Sequence, residues 1–423
     1  MNVLVVGGGG REHALCWAIS RSPMQPAVFC APGNAGIADV ATCINIAADD
    51  RDAIVAFSVK QAMDFVVVGP EGPLCSGLID RLEGAGIKAF GPRRGAAQIE
   101  GSKIFMKDLC ARTGIPTADY RQFDEPEAAK EYVRSHGVPV VAKADGLASG
   151  KGVVICRTEN EAYAAIDHIL VEGAFGAAGA NLVIEQYLEG EEASFLALVD
   201  GTDIVPLASS QDHKAACDGD LGPNTGGMGA YSPAPVVTAE MTQVVMDRIM
   251  RPAVKELHDI GCSFSGVLYA GLMFTHDGPK LLEFNCRFGD PECQPLLMRM
   301  RSDVLDALLA CSEGRLGGLV LEWREDAALS VVMAANGYPG YYGRGSEIKG
   351  LKKLAGLEDV MVFHAGTEKR DGRILANGGR VLCVTARGRT VAAAQRRAYE
   401  AVAEIEWHDG YCRRDIGWRA IVR

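Results

Sequence analysis

Asn2-Val3-Leu4-Val5-Val6-Gly7-Gly8-Gly9-Gly10-Arg11-Glu12-His13-Ala14-Leu15-Cys16-Trp17-Ala18-Ile19 opens the chain and settles its first domain. A short apolar run ends in four glycines, and the stretch after them spaces its apolar residues as a helix does. The order strand, loop, helix returns at Phe65-Val66-Val67-Val68-Gly69-Pro70-Glu71-Gly72-Pro73. An amphipathic stretch over 74–83, expected to be helical, and a short strand at Lys88-Ala89-Phe90 follow. Repeated β–loop–α units imply a mostly parallel, Rossmann-like sheet with helices on both faces and ligand loops at the carboxyl ends of its strands. Residues 1–100 are expected to form this domain.

A second unit begins near Gly101. Ser102 is a suitable N-cap for a helix over 104–112 that Gly114 and Pro116 would stop. From Val138 the pattern becomes hairpins: 139–143 with 152–156, 181–187 with 193–199, and 266–274 with 279–285. The last pair is joined through His276-Asp277-Gly278, whose Asp-Gly is a hairpin turn signal. This predicts an antiparallel α+β module over 101–325. Beyond Trp323 come strands at 328–334, 361–365 and 380–386 and a helix over 390–405. They form a small C-terminal α/β domain, 326–423, without a dense cluster of chemical residues. The fold class is thus α/β and α+β, in several domains.

Composition narrows the partners. Of 423 residues, 43 are Lys or Arg and 54 are Asp or Glu, a net charge of −11, which argues against a nucleic-acid partner. Hydrophobic residues at 48% and charged residues at 23% are ordinary globular usage. No apolar run approaches the ~18–20 residues that span a bilayer, and no signal peptide is expected. The 13 cysteines include no Cys-x-x-Cys pair, so reduced thiols in a cytoplasm are expected, with no structural zinc.

Four stretches could carry chemistry. In a Gly-x-Gly-x-x-Gly frame starting at Gly7 the last position is Glu12, so the dinucleotide fingerprint fails. A phosphate-holding loop and a merely tight turn both remain open. Gly146-Leu147-Ala148-Ser149-Gly150-Lys151-Gly152 is too short between its glycines for a Walker A loop and has Gly152 where Ser or Thr would hold magnesium. It reads as a lid over phosphates or as an ordinary hairpin loop. In Leu281-Leu282-Glu283-Phe284-Asn285-Cys286-Arg287-Phe288, alternation sets Leu282, Phe284, Cys286 and Phe288 on one face and Glu283, Asn285 and Arg287 on the other. Glu283 and Asn285 offer oxygen ligands suited to magnesium, although a solvated sheet face would alternate in the same way; the carboxylate-dense turn Gly289-Asp290-Pro291-Glu292 favours the metal. Finally, Gln211-Asp212-His213-Lys214 and the glycine-rich 218–229 stretch form a long loop of the functional kind.

On these residues the sequence resembles the ATP-grasp ligases and, among them, the glycinamide ribonucleotide synthetase family. The carrying stretches are Gly7–Leu15, Ala31–Gly36, Gly69–Leu74, Lys143–Val153, Gln211–Lys214, Gly222–Pro233 and Glu283–Glu292, in the family's order. The resemblance implies ligation of glycine to phosphoribosylamine at the expense of ATP, through a glycyl phosphate, in purine synthesis. It implies Mg2+ or Mn2+ on Glu283 and Asn285, and a mobile lid over about 118–190. ATP would meet Lys103, Lys143, Ser149, Lys151, the Glu185-Gln186-Tyr187-Leu188 segment, Glu192 and Asn224. Phosphoribosylamine and glycine would meet Gly9, Gly10, Asn34, Glu71, Asp212, His213, Lys214 and Arg287, with Arg287, Asp212 and Lys143 catalytic. A cytoplasmic monomer with small-molecule partners is expected. Rival readings are an ATP-grasp ligase for another carboxylate and a non-catalytic nucleotide binder. The chain departs from the family at Ala215-Ala216, where a basic residue usually follows His-Lys; Ala215→Arg is accordingly expected to lower the KM for ATP.

Overall fold

The structure, a computed structural model, describes residues 1–147 and 152–423 and, apart from those of 177 and 178, their side chains. Asn2–Gly7 is the central strand of a five-stranded parallel sheet in the order Thr42–Cys43, Ala27–Pro32, Asn2–Gly7, Phe65–Val68, Lys88–Phe90. Val3 to Val6 are fully buried, as a strand covered on both faces must be. The expected helix over 74–83 is two pieces, Glu71–Cys75 and Leu78–Gly84. They part at Gly77, whose φ of +87° turns the chain between them.

Helix Lys103–Thr113 follows, with Ser102 Oγ accepting from the Phe105 amide at 3.1 Å and Gly114 closing its other end in the left-handed conformation. Two antiparallel four-stranded sheets come next. The first orders Tyr120–Phe123, Leu182–Gln186, Val140–Ala144 and Val153–Cys156; the second orders Ile204–Pro206, Glu191–Asp200, Ser265–Thr275 and Gly278–Asn285. The hairpin expected between 181–187 and 193–199 does not form. Leu182–Gln186 pairs with Val140–Ala144, and Glu191–Asp200 runs along Ser265–Thr275 in the other sheet. Alternation marked both strands correctly but does not name a partner, and the short link between them passes from one sheet to the other.

The C-terminal strands Ala327–Ala335, Val360–His364, Arg380–Gly388 and Gly410–Tyr411 share one sheet with Gln211–Asp212 and Gly229–Ser232 from the middle of the chain. Helix Val391–Ala403, capped by Thr390, packs on that sheet. Among the described residues no helix is long and apolar enough to cross a membrane.

Candidate active site

A cavity of about 550 Å3 opens where the two antiparallel sheets, the N-terminal sheet and the C-terminal sheet meet. Its size suits a nucleotide-sized ligand. One end is apolar, walled by Val141, Val153, Ile155, Leu188, Met273 and Leu282, with Gln186 and Tyr187 beside them. Leu282 was expected on the packed face. A bulge opposite Gly271 shifts the register there, so Leu281 enters the core while Leu282 turns to the cavity. Phe284, Cys286 and Phe288 are buried as expected.

Lysines gather beyond the apolar end. Lys103, at the first position of its helix, donates to the Gly146 carbonyl at 3.0 Å, at the mouth of the 146–152 loop. Lys143 Nζ lies 2.8 Å from Glu185 Oε2 and donates to the Leu282 carbonyl at 3.2 Å. The Glu185 side chain is therefore engaged with lysine and buried, while its strand and the residues after it line the cavity. Ser149 and Lys151 lie outside the described residues.

Glu283 and Asn285 stand on the cavity wall two residues apart, together with Arg287. Burial alone would raise the proton affinity of Glu283, but Lys214, Lys143, Lys103 and Arg287 outweigh it and hold the carboxyl below its ordinary range. Arg287 donates to Glu71 at 3.1 Å and to Glu100 at 2.8 Å. Burial opposes the ionised form of Glu71 too, yet Arg287 and Arg11 carry its pKa down to about 2. Among the described residues no group of three His, Cys, Asp or Glu is arranged to hold a metal. The donors on offer are one carboxylate and one amide oxygen, a set that fits a hard cation keeping waters and phosphate oxygens, and not zinc.

Asp212 is buried at the cavity edge, and among the described residues no donor is bonded to its carboxylate. Burial, less the pull of Lys214 and with the push of Glu292, Glu192 and Glu283, raises its pKa to about 7. Lys214 pairs with Glu192 at 3.1 Å, and both line the cavity, as does Asn224. His213 does not: its Nε2 accepts from the Gly417 amide at 2.9 Å, which fastens the 212–229 segment to the end of the chain. Alternation along Asp212-His213-Lys214 sends the imidazole to the opposite side from its neighbours.

The N-terminal glycines are also engaged internally. The Gly9 amide donates to Glu12 Oε2 at 2.7 Å, and a Cβ on Gly69 would sit 2.1 Å from Glu12 Oε1. Glu12 thus fills the space that the fingerprint's last glycine leaves open, and Gly9 and Gly10 are not on the cavity wall. Asn34 is spent too: it donates to the carbonyls of Gly8 at 2.9 Å and His364 at 2.7 Å and accepts from the Gly36 and Ile37 amides. It ties the N-terminal loop to the C-terminal sheet instead of facing the cavity. Of the expected N-terminal substrate residues, Glu71 alone lines it.

The C-terminal segment, where no dense cluster of chemical residues is expected, supplies Tyr338 and Arg380 to the same wall. Arg380 Nη1 donates to the Asp290 carbonyl at 2.6 Å, and Nη2 lies 3.3 Å from the Asp290 carboxylate. The Gly226 amide donates to the Tyr338 hydroxyl at 3.2 Å. A Cβ on Gly226 would lie 3.0 Å from the Arg380 guanidinium carbon, so the glycine permits the approach. Sequence spacing held no signal for either residue. Lys107, also missed, did have one: it lies four residues after Lys103, on the same helical face.

Residues 1–100, 101–293 and 328–419 match the N, ATP-grasp (A) and C domains of phosphoribosylglycinamide synthetase. The chain is 55% identical over 423 residues to the phosphoribosylamine–glycine ligase of Brucella melitensis, covering 100% of this chain and 99% of that one. It is 54% identical over 427 residues to the same ligase of Escherichia coli O157:H7, with equal coverage. The crystal structure of the Thermotoga maritima phosphoribosylamine–glycine ligase has a TM-score of 0.86 at 32% identity, over 99% of this chain and 100% of that one. The biotin carboxylase domain of Hydrogenobacter thermophilus 2-oxoglutarate carboxylase, solved with MgADP, shares the fold with a TM-score of 0.73 at 18% identity, over 97% of this chain and 91% of that one. With every domain matched in order, on a cleft where lysines and side-chain oxygens converge, the chain belongs to the phosphoribosylglycinamide synthetase family.

Proposed function

We infer that the cleft ligates glycine to phosphoribosylamine at the expense of ATP, giving glycinamide ribonucleotide, ADP and phosphate, a step of purine biosynthesis. The observation that carries the reading is the convergence of Lys103, Lys143, Glu283 and Asn285 on one cavity wall. The adenine belongs in the apolar end, beside the 185–188 segment, with Glu192 towards the ribose and Asn224 towards the phosphates. Lys151 and Ser149 would close over the phosphates from the 146–152 loop.

Attack of the glycine carboxylate on the γ-phosphate brings two anions together. At 4 Å and an effective dielectric near 20, each like-charge pair costs about 4 kcal/mol. Lys103, Lys143 and Arg287 offset that repulsion and hold the reactants in line, which is most of what phosphoryl transfer requires. Magnesium is the ion we assign to Glu283 and Asn285; when bound it supplies further neutralisation of the phosphate oxygens. The glycyl phosphate is then attacked by the amine of phosphoribosylamine, with phosphate leaving. A carboxylate whose proton affinity lies near neutrality is matched to take the proton the amine loses, and Asp212 is assigned that task. Acyl phosphates hydrolyse readily, so closure of a lid over about 118–190 protects the intermediate. Glu71 is assigned to phosphoribosylamine on the N-terminal side and Lys214 to the substrates opposite.

We further propose three functional units, 1–100, 101–325 and 326–423, acting as a cytoplasmic monomer. The deciding experiment is mass spectrometry of the products from ATP, glycine and freshly made phosphoribosylamine, with bicarbonate or alanine replacing glycine in parallel. Glycinamide ribonucleotide with glycine alone is expected. ADP release with bicarbonate and none with glycine would overturn the reading. Chelation of divalent ions should stop turnover, and added Mg2+ should restore it.

A further inference from the structure

Lys107 has a wholly buried side chain, and no step above uses it. A buried ammonium persists only where its charge is matched and its protons are bonded. Its Nζ donates to Thr117 Oγ1 at 2.8 Å and to the Ala118 carbonyl at 3.3 Å, and lies 3.3 Å from Glu185 Oε1. The other oxygen of the same carboxylate is 2.8 Å from Lys143 Nζ. One buried carboxylate therefore stands between two ammonium groups. Tyr120 covers Lys107 from a further side, its ring centroid 5.1 Å from Nζ.

The arrangement has an electrostatic consequence. A carboxylate facing one lysine cancels that lysine's charge; a carboxylate shared by two leaves a net positive charge, and of the two lysines it is Lys143 that lines the cavity, with Glu185 and Lys103. It also has a mechanical one. Thr117 Oγ1 passes the contact on by donating to the Leu281 carbonyl at 2.7 Å, and Lys143 donates to the next carbonyl, Leu282. Helix Lys103–Thr113, strand Leu182–Gln186, strand Val140–Ala144 and strand Gly278–Asn285 thus meet at one polar knot between the two antiparallel sheets.

We propose that Lys107 is a positioning residue for nucleotide binding: by sharing the Glu185 carboxylate it leaves the charge of Lys143 only partly cancelled and keeps that side chain aimed at the ATP phosphates. The inference rests on the reading of Lys143 as a phosphate ligand.

The test is equilibrium binding of ATP in the presence of Mg2+ to the full chain. Lys107→Met is expected to raise the Kd for ATP at least ~10-fold, about 1.4 kcal/mol, because Glu185 then neutralises Lys143 alone. Adding Glu185→Gln to that variant should bring the Kd back to within ~3-fold of wild type, and Lys107→Arg should stay near wild type. A purely structural role predicts no rescue, since the second substitution restores no packing. Unchanged ATP binding in Lys107→Met, or a double variant no better than the single, overturns the proposal. Should Lys107→Met fail to fold, the double variant is compared with wild type: a Kd within ~3-fold is expected, and a ~10-fold loss overturns the proposal. Lys143→Met is the control on the underlying reading. If it binds ATP as wild type does, the assignment of Lys143 is at fault, whatever Lys107 does.

Discussion

Replacing Asp212 by asparagine should make the protein more stable and nearly inactive, with both effects depending on pH. The carboxyl is buried and no donor among the described residues is bonded to it, and its pKa rises from 3.8 to about 7. Such a group holds its proton more tightly folded than unfolded. Its contribution is therefore fully present below pH 3.8 and is lost as the pH rises through 7. At ~1.4 kcal/mol per pH unit the gap amounts to an upper bound of about 4 kcal/mol forfeited above neutrality. Asparagine keeps the shape without the charge. The two proteins should match in stability near pH 4 and diverge progressively to pH 8, where the variant should unfold at the higher temperature. Thermal denaturation followed by circular dichroism at a series of pH values measures the divergence, and glycinamide ribonucleotide formation measures the lost activity. A constant difference across pH, or a variant less stable at pH 8, would refute the burial argument; full activity in the variant would refute the role assigned to the carboxylate.

Three further outcomes are expected. Ala215 and Ala216 are both buried, and the Ala215 carbonyl accepts from the buried Arg413 at 3.1 Å. Ala215→Arg should therefore cost about 1–3 kcal/mol in denaturant titration without lowering the KM for ATP, the reverse of what the family pattern suggests. Burial holds the pKa of His13 at about 3 and that of His364 at about 4, where His364 donates its amide to His13 Nδ1 at 2.8 Å. The unfolded chain takes up those protons first, so the stability present above pH 6.5 is lost as the pH falls towards 4 and 3, and His364→Asn should shift acid unfolding to lower pH by removing about 3 kcal/mol of that penalty. Arg380→Met releases the Gly226 and Asp290 carbonyls and should reduce kcat/KM by ~100-fold in steady-state assays, with a small change in melting temperature.

The sequence disclosed most where chemistry and periodicity coincide. Glu283, Asn285 and Arg287 alternate on a strand, and all three line the cavity; Ser102 caps the helix that presents Lys103. It disclosed least where a contact joins distant segments. His213 stands in the sequence between two residues that line the cavity, yet its own partner is the Gly417 amide, 204 residues away. Asn34 has the same history: a short polar side chain near a glycine loop can face a ligand or bond the backbone, and only the position of His364 decides. Leu282 went astray through a single bulged position, which breaks the period of two between Leu281 and Glu283 and leaves the alternation beyond it intact. Arg380 opens a strand whose next four residues are apolar, and its use becomes visible only when Asp290 is brought against it.

Arg380, Tyr338, His364 and Gly417 all come from the last quarter of the chain, and each fastens a loop belonging to the first three quarters. During translation the catalytic loops emerge long before their clasps. A nascent polypeptide that has emerged only to about residue 330 carries Lys103, Lys143, Glu283 and Asn285 but none of the four braces that hold the loops around them.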